Sequence, residues 1–403
     1  QRINILLSVL FVPTILGQGC SQTLQVDRNV MIISSPNYPE KYGKGTQCTW
    51  TVNAPTNYNV KLTCTDVELP NVFILGLFGC LGDTVKVSPT GKADFSDAST
   101  YCGTDSFTEV SDSNVMTIGL SATKYSKGGK LNCTAQAYFS PCNCGRVGMS
   151  PRIVGGTDAK QTDFPSLVAI SDITEHDLYC HGTIISPRKV LTAHICVQNR
   201  VTSNLFVVVG MQEKKPDGGS PYYSIYMVDS FICKSGDCSK NPDTESDIAI
   251  LKIKDEFQMN PGVWPACMPF NYRTSTFAGE RVQVAGWGQI SPSAEQPKKL
   301  QKTTFDVIRN TECKRTLGGT QITNSNICTF TNQTYPCGKD SGEGLYYTAE
   351  NGHIHIVGII GSFANNCKNL PSVNTRMTSV MDWVVNNSDD GEYCNPNKMY
   401  NRG

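Results

Sequence analysis

The cysteines constrain the fold of this chain most. There are 18 of them among 403 residues, too many for a reducing compartment and typical of a fold held by structural disulfides. The chain is also long enough for two domains, each with its own hydrophobic core. These two facts predict an extracellular protein made of two disulfide-bonded domains.

The N-terminal segment favours the same compartment. Arg2 precedes an apolar run, Ile3–Leu16, and the small residues Gly17 and Gly19 follow. This pattern predicts a secretory signal peptide over residues 1–19, too short to span a bilayer. An ordinary buried segment is the alternative interpretation, because the chain opens with Gln rather than Met.

The charge balance argues against two classes of partner. The 35 basic and 35 acidic residues give no net charge, so nothing indicates a nucleic-acid or anionic-membrane partner. No later stretch is apolar over the length of a membrane span. Three sequons, beginning at Asn132, Asn332 and Asn386, are possible glycan sites.

Two series of short strands divide the chain and predict an all-β protein. Over residues 20–139 apolar and polar residues alternate between Pro, Gly and Asn, which predicts an antiparallel sandwich. Residues 140–152 are rich in Pro, Cys, Gly and Arg and read as a linker and activation segment. A longer series of strands fills residues 153–388 and closes with a helix at "VMDWVVNN", and residues 389–403 form a tail.

The first series resembles a CUB domain. The resemblance rests on "SSPNYPEKYGKGTQCTW", "CLGDTVKV" and "YCG". It implies a β-sandwich that recognises other molecules, with disulfides Cys20–Cys48 and Cys80–Cys102. Cys64 and Cys133 remain and could join the second strand to the last.

Some CUB domains bind calcium through a glutamate and two aspartates, oxygen ligands that suit a hard cation. Glu68 and Asp83 match the first two positions. The third falls at Ser121 and Ala122, which are not carboxylates. We therefore expect solvated carboxylates on loops, with no metal and no cofactor.

The second series resembles the trypsin-like serine protease family. It carries "RIVGG", "DIAILKI", "AGWG", "DSG" and "PSVNTR" in the family's order. The resemblance implies a double β-barrel with a C-terminal helix. A CUB domain followed by such a domain is similar to arthropod CUB serine proteases, including those of bee and wasp venoms.

The resemblance also implies roles for individual residues. Ser341 matches the nucleophile and Asp247 the carboxylate that orients the base. An upstream protease would cut after Arg152, and the new amino group of Ile153 would pair with Asp340. Protein substrates or protein partners are expected.

The candidate base is displaced by one residue. The family has Ala-Ala-His-Cys, whereas this chain has Ala193, His194, Ile195 and Cys196. A disulfide between Cys180 and Cys196, at the family's spacing, would hold the register. One residue of shift in a helical turn rotates a side chain by about 100°. Ile195 is therefore predicted to stand in the base's place, with His194 pointing away from the nucleophile.

Further departures fall on the oxyanion hole and the substrate pocket. Lys339 stands where a family glycine offers its amide to the oxyanion beside the Ser341 amide. The resemblance places Tyr335 at the pocket floor, so no carboxylate there would attract Arg or Lys. Gly361 and Phe363 lie in a segment that replaces the family's Ser-Trp-Gly, and Phe363 is expected to fill the pocket.

The remaining cysteines and histidines complete the expectations. The resemblance implies the pairs Cys313–Cys328, Cys337–Cys367 and Cys233–Cys238, and a bond from Cys267 to either Cys142 or Cys144. Whichever of Cys142 and Cys144 is not bonded to Cys267 could then pair with Cys394. His353 and His355 lie on one face of a strand, where surface positions are expected rather than metal ligands. His176 and His181 have no recognisable partner.

Two functions follow from these observations. The first is a secreted, noncatalytic protease homologue that acts by engaging proteins, favoured by the changes at base, oxyanion hole and pocket. The alternative is an active secreted endopeptidase of non-tryptic specificity, favoured by the retained serine and aspartates. A calcium-dependent adhesion module is a third, weaker possibility.

Overall fold

The computed structural model describes residues 20–55, 58–71, 79–140, 143–146, 157–175, 178–215, 218–288, 296–318, 321–331, 341–361, 370–388 and 393. The chain divides into two compact units, Gln1–Ser140 and Pro141–Gly403. Several expected site residues lie outside the described ranges. They are Arg152, Ile153, Asp340, Lys339, Tyr335, Phe363, His176, Asn332, Cys142, Cys337, Cys367 and Cys394.

The first unit consists of two β-sheets. Its strands are β1 Ser21–Gln25, β2 Met31–Ser34, β3 Gln47–Asn53, β4 Asn59–Glu68, β5 Thr84–Ser88, β6 Ser99–Tyr101, β7 Phe107–Val110, β8 Val115–Ser121 and β9 Lys130–Tyr138. One sheet has the order β1-β3-β8-β5-β6 and the other β2-β9-β4-β7. All pairings are antiparallel except β1 with β3.

The core of this unit follows from the alternation of the strands. In β3, Cys48, Trp50 and Val52 are buried while the residues between them are more exposed. The same period-two pattern runs along β9, as expected of strands that cover a core with one face. Three disulfides join Cys20 to Cys48, Cys64 to Cys133 and Cys80 to Cys102.

The second unit begins with a closed six-stranded barrel in the order β11-β12-β13-β16-β15-β14. Its strands are β11 Leu167–Asp172, β12 Cys180–Ser186, β13 Lys189–Thr192, β14 Leu205–Val209, β15 Ser224–Cys233 and β16 Ala249–Ile253. Every residue of β11, β12 and β13 is buried.

A second sheet follows, in the order β10-β18-β17-β20-β21-β22-β19. Pairing of β18 with β19 closes six of these strands into a barrel, and β10 pairs with β18 outside the ring. Its strands are β10 Thr157–Asp158, β17 Arg281–Gly286, β18 Gln301–Ile308, β19 Asn326–Phe330, β20 Gly344–Thr348, β21 Ile354–Ile359 and β22 Ser372–Arg376. The helices are α1 Asn310–Leu317 and α2 Met377–Asn386. The predicted all-β fold, with two barrels and a C-terminal helix, is confirmed.

One expectation about this sheet was wrong. His353 precedes β21, and His355 within it is buried at 8% exposure rather than lying on the surface. The His355 ring packs edge-on against Tyr272 at 5.3 Å, and its Nδ1 lies 3.4 Å from the Met268 carbonyl oxygen. Both faces of β21 are covered, so the alternation of its sequence did not mark an exposed side.

Candidate active site

The displaced histidine lies in a short helical turn at the end of β13. The turn spans His194–Cys196, and the Cys196 amide donates to the Ala193 carbonyl at 3.1 Å. A disulfide joins Cys196 to Cys180 at the start of β12. The turn is therefore attached to the barrel by the chain on one side and by a covalent bond on the other.

Asp247 reaches this turn because of strand pairing. Thr192 at the end of β13 is paired with Ala249 at the start of β16, two residues after Asp247. The backbone N–H of Ile195 donates to Asp247 Oδ1 at 3.3 Å, and the carboxylate is buried at 1% exposure. Ile195, half-buried, is the residue of the turn whose amide faces the aspartate.

The His194 side chain contacts Ser235 rather than Asp247 or Ser341. Its side chain is fully buried, and its Nδ1 lies 3.3 Å from the hydroxyl of Ser235. Ser235 belongs to the loop closed by the disulfide Cys233–Cys238, which leaves β15 beside the start of β16. The other ring nitrogen, Nε2, is buried and has no hydrogen-bond partner among the described residues, so it makes no bond to Ser341.

Ser341 is held at the interface between the two barrels. Its carbonyl accepts a bond from the His181 amide at 2.9 Å, and the next amide, that of Gly342, donates to Ile360 at 2.7 Å. Gly342 adopts φ +86°, and a Cβ there would lie 2.0 Å from the His181 carbonyl oxygen. Only glycine fits this position, which explains why glycine follows the serine in "DSG".

A buried polar pair behind Ser341 escaped sequence reasoning. His181 Nδ1 lies 3.5 Å from Glu343 Oε1, with both side chains 4% exposed. The His181 ring stacks on Trp287 at 5.8 Å, and Nε2 accepts the Trp287 amide at 3.3 Å. Acceptance at Nε2 leaves the proton on Nδ1, facing the carboxylate. The pair joins β12 to the segment before β20, and its members are 162 residues apart in sequence (343 − 181).

Gly361, two residues after the end of β21, lies against Asp247. A Cβ on Gly361 would lie 2.4 Å from Asp247 Oδ2, so the backbone itself covers that side of the carboxylate. The Asp247 carbonyl accepts a bond from the Thr375 hydroxyl at 2.9 Å. These contacts connect Asp247 of the first barrel to two strand ends of the second.

The linker segment is attached to the protease-like unit. Cys144 is bonded to Cys267, which is one of the two expected alternatives. The Gly145 amide donates to Pro265 at 2.7 Å, and the Trp264 indole donates to the Asn143 carbonyl at 2.6 Å. Cys313–Cys328 is also present.

The remaining expected sites are placed as follows. Asn132 lies in β9 with strands on both sides, and its Oδ1 accepts the Ser34 hydroxyl at 2.7 Å. Asn386 is exposed at the end of α2. Across the described ranges no group of three or more His, Cys, Asp or Glu side chains could hold a metal ion. No helix in the described part of the chain is long and apolar enough to cross a membrane.

The second unit has two six-stranded barrels, with Asp247 on the first barrel and Ser341 at the junction between them. This arrangement defines the class of trypsin-like domains. The family comparisons agree: the trypsin family model matches residues 153–384 and the CUB domain model matches residues 20–130. The chain therefore belongs to the trypsin family of serine proteases and carries an N-terminal CUB domain.

Named relatives match this chain over different lengths. Venom serine protease 34 of Apis mellifera is 32% identical over 375 residues, covering 91% of this chain and 86% of that protein. A venom serine protease of Polistes dominula is 32% identical over 266 residues, covering 64% of this chain and 93% of that protein. Clotting factor G beta subunit of Tachypleus tridentatus is 29% identical over 262 residues, covering 60% of this chain and 81% of that protein.

Proposed function

We propose that this protein is a secreted, noncatalytic serine protease homologue that acts by binding other proteins. The observation that carries the proposal is the 3.3 Å bond from the Ile195 amide to Asp247. The general base must accept the serine proton and be oriented by this aspartate. The residue that faces Asp247 in this chain is an isoleucine, whose side chain accepts no proton.

The position of His194 supports the same function. A general base must lie within hydrogen-bond reach of the hydroxyl that it deprotonates. His194 is fully buried and directs Nδ1 at Ser235. Moving it to Ser341 would require the turn to slip by one residue, and the Cys180–Cys196 disulfide opposes that slip.

The substitutions outside the described ranges act in the same direction. Lys339 replaces the glycine that the family uses for one oxyanion donor, and Phe363 replaces the glycine that leaves the pocket open. Loss of one oxyanion donor costs about 3 kcal/mol of transition-state stabilisation. Restoring the base alone would therefore leave catalysis impaired.

Secretion and processing complete the proposal. The disulfides, the apolar N-terminal run and the sequons favour an extracellular protein. Cleavage after Arg152 by an upstream protease would generate the Ile153 amino group, and the Cys144–Cys267 bond would keep the two pieces together. The CUB domain and the barrel surfaces would then bind protein partners.

An active endopeptidase of non-tryptic specificity is the second candidate. It is favoured by the retained Ser341 and Asp247 and by relatives that are named as venom serine proteases. Tyr335 at the pocket floor would exclude a preference for Arg or Lys.

A fluorophosphonate probe separates the two functions. The protein is cleaved with trypsin, the trypsin is inhibited and removed, and the probe is applied. A noncatalytic homologue leaves Ser341 unlabelled, because a hydroxyl without a base is a poor nucleophile. Ser341→Ala is the matched control for labelling elsewhere. Rapid, stoichiometric labelling that disappears in Ser341→Ala would establish the endopeptidase instead.

A further inference from the structure

The corner of the CUB domain where Glu68 and Asp83 lie contains a positive charge of its own. The ammonium group of Lys41 forms an ion pair with Glu68 Oε1. Both side chains are partly exposed, at 49% and 36%. Glu68, which the resemblance assigns to calcium, therefore already has a cationic partner from the loop that follows β2.

Asp83 was expected to be a solvated carboxylate, and this was wrong: its side chain is fully buried, and hydrogen-bond donors contact both of its oxygens. Its Oδ1 accepts the Thr123 amide at 2.9 Å, and its Oδ2 accepts the Tyr42 hydroxyl at 3.0 Å. The Ser126 hydroxyl donates to Oδ2 as well. Hydrogen bonds of this number stabilise the carboxylate without a metal.

The third expected ligand position supplies no carboxylate. The Ser121 hydroxyl accepts a bond from Gln47 Nε2 at 2.9 Å, and Ala122 is buried. Calcium takes six to eight oxygen ligands, about 2.3–2.6 Å away. The residues of this corner therefore do not fit calcium while Lys41 is paired with Glu68, because only Asp83 is left as an uncompensated carboxylate. Asp83 Oδ1 accepts one hydrogen bond and keeps a lone pair, so removal of Lys41 would leave two carboxylates for a cation.

The loops around the corner hold these donors in place. The Tyr42 amide donates to Gly129 at 2.8 Å, and the Gly45 amide donates to Thr123 at 3.0 Å. Burial, followed by the charges of Asp83 and Glu68, raises the pKa of Tyr42, so its hydroxyl remains a donor. Tyr42 is thus fixed against Asp83, and the adjacent Lys41 is directed at Glu68.

We propose that Lys41 is the built-in cation of this CUB domain and takes the place of a divalent metal. Its ammonium compensates Glu68, while neutral donors satisfy Asp83. The domain then folds and presents its binding loops without calcium. This inference depends on the CUB domain alone and not on whether the protease-like domain is catalytic.

The test uses the full chain and follows the unfolding of the CUB domain by differential scanning calorimetry. Calcium is raised from zero, with chelator, to about 10 mM, above the weakest affinities of extracellular calcium modules. The variants are Lys41→Ala, Lys41→Arg and the control Lys44→Ala, which removes an exposed lysine of the same loop.

The proposal predicts that calcium and chelator leave the wild-type and Lys44→Ala midpoints unchanged. Lys41→Ala should lower the midpoint by about 1–5 °C, since a partly exposed ion pair contributes little. Calcium should restore at least half of that loss, and Lys41→Arg should behave as the wild type.

Three outcomes would overturn the proposal. The first is a saturable rise of the wild-type midpoint with calcium. The second is a Lys41→Ala midpoint equal to that of the wild type. The third is a lowered Lys41→Ala midpoint that calcium does not raise, which would reduce Lys41 to an ordinary ion pair.

Discussion

Replacing His194 by alanine distinguishes a structural side chain from a catalytic base. The imidazole is fully buried and bonded to Ser235, so its removal leaves a cavity and breaks one hydrogen bond. Large-to-small changes of this kind cost about 2–4 kcal/mol, and a hydrogen bond adds about 1 kcal/mol. For a domain of this size, a combined loss of about 3–5 kcal/mol lowers the melting temperature by about 6–20 °C.

The measurement pairs thermal unfolding of the protease-like domain with fluorophosphonate labelling of Ser341. Ser235→Ala is the matched control. It removes the same hydrogen bond from the exposed side, and should cost only about 0.5–1 kcal/mol. The reasoning would be refuted if His194→Ala left the melting temperature unchanged but abolished labelling that the wild type shows, because that is the behaviour of a general base.

Four further outcomes are expected. Trypsin should cut once after Arg152, and the pieces should separate on a gel only with reductant; separation without it would exclude the linking disulfide. The double variant His194→Ala, Ile195→His should gain probe labelling but little peptide hydrolysis, and robust turnover on a peptide library would show that the pocket and oxyanion changes are tolerated. Burial lowers the pKa of His355 from its ordinary 6.5, so its contribution to stability is complete above that pH and is lost as pH falls below it. His355→Asn should therefore make the melting temperature depend less on pH between about pH 7 and pH 5, and the same pH dependence in the variant and the wild type would contradict this. Peptide mapping with and without glycosidase should find a glycan at the exposed Asn386, and an unmodified Asn386 in protein from insect cells would contradict the assignment.

The turn around His194 shows how far local sequence could predict the site. The register followed from the spacing of Cys180 and Cys196, because a disulfide tolerates little displacement of its ends. The structure contains that bond, and the Ile195 amide faces Asp247. What the spacing could not supply was the new partner of His194, since Ser235 comes from a loop 41 residues away.

Alternation in the sequence did not reveal how deeply each strand is buried. The ten-residue β15 has exposed and half-buried positions, and Val228 and Cys233 are its buried residues. His355 was expected on a surface face of a strand, yet both faces of β21 are covered. Periodicity reports that a strand exists, but not whether its other face meets water.

The sequence by itself determined the two-domain organisation, the family, the order of the motifs and the displacement of the histidine. These depend on short spacings and on residue types whose chemistry acts locally. Tertiary structure decided what each polar side chain meets: His181 with Glu343, His194 with Ser235, and Lys41 with Glu68. Those pairs are brought together by barrel closure and loop packing, over separations at which no local pattern carries information about contact.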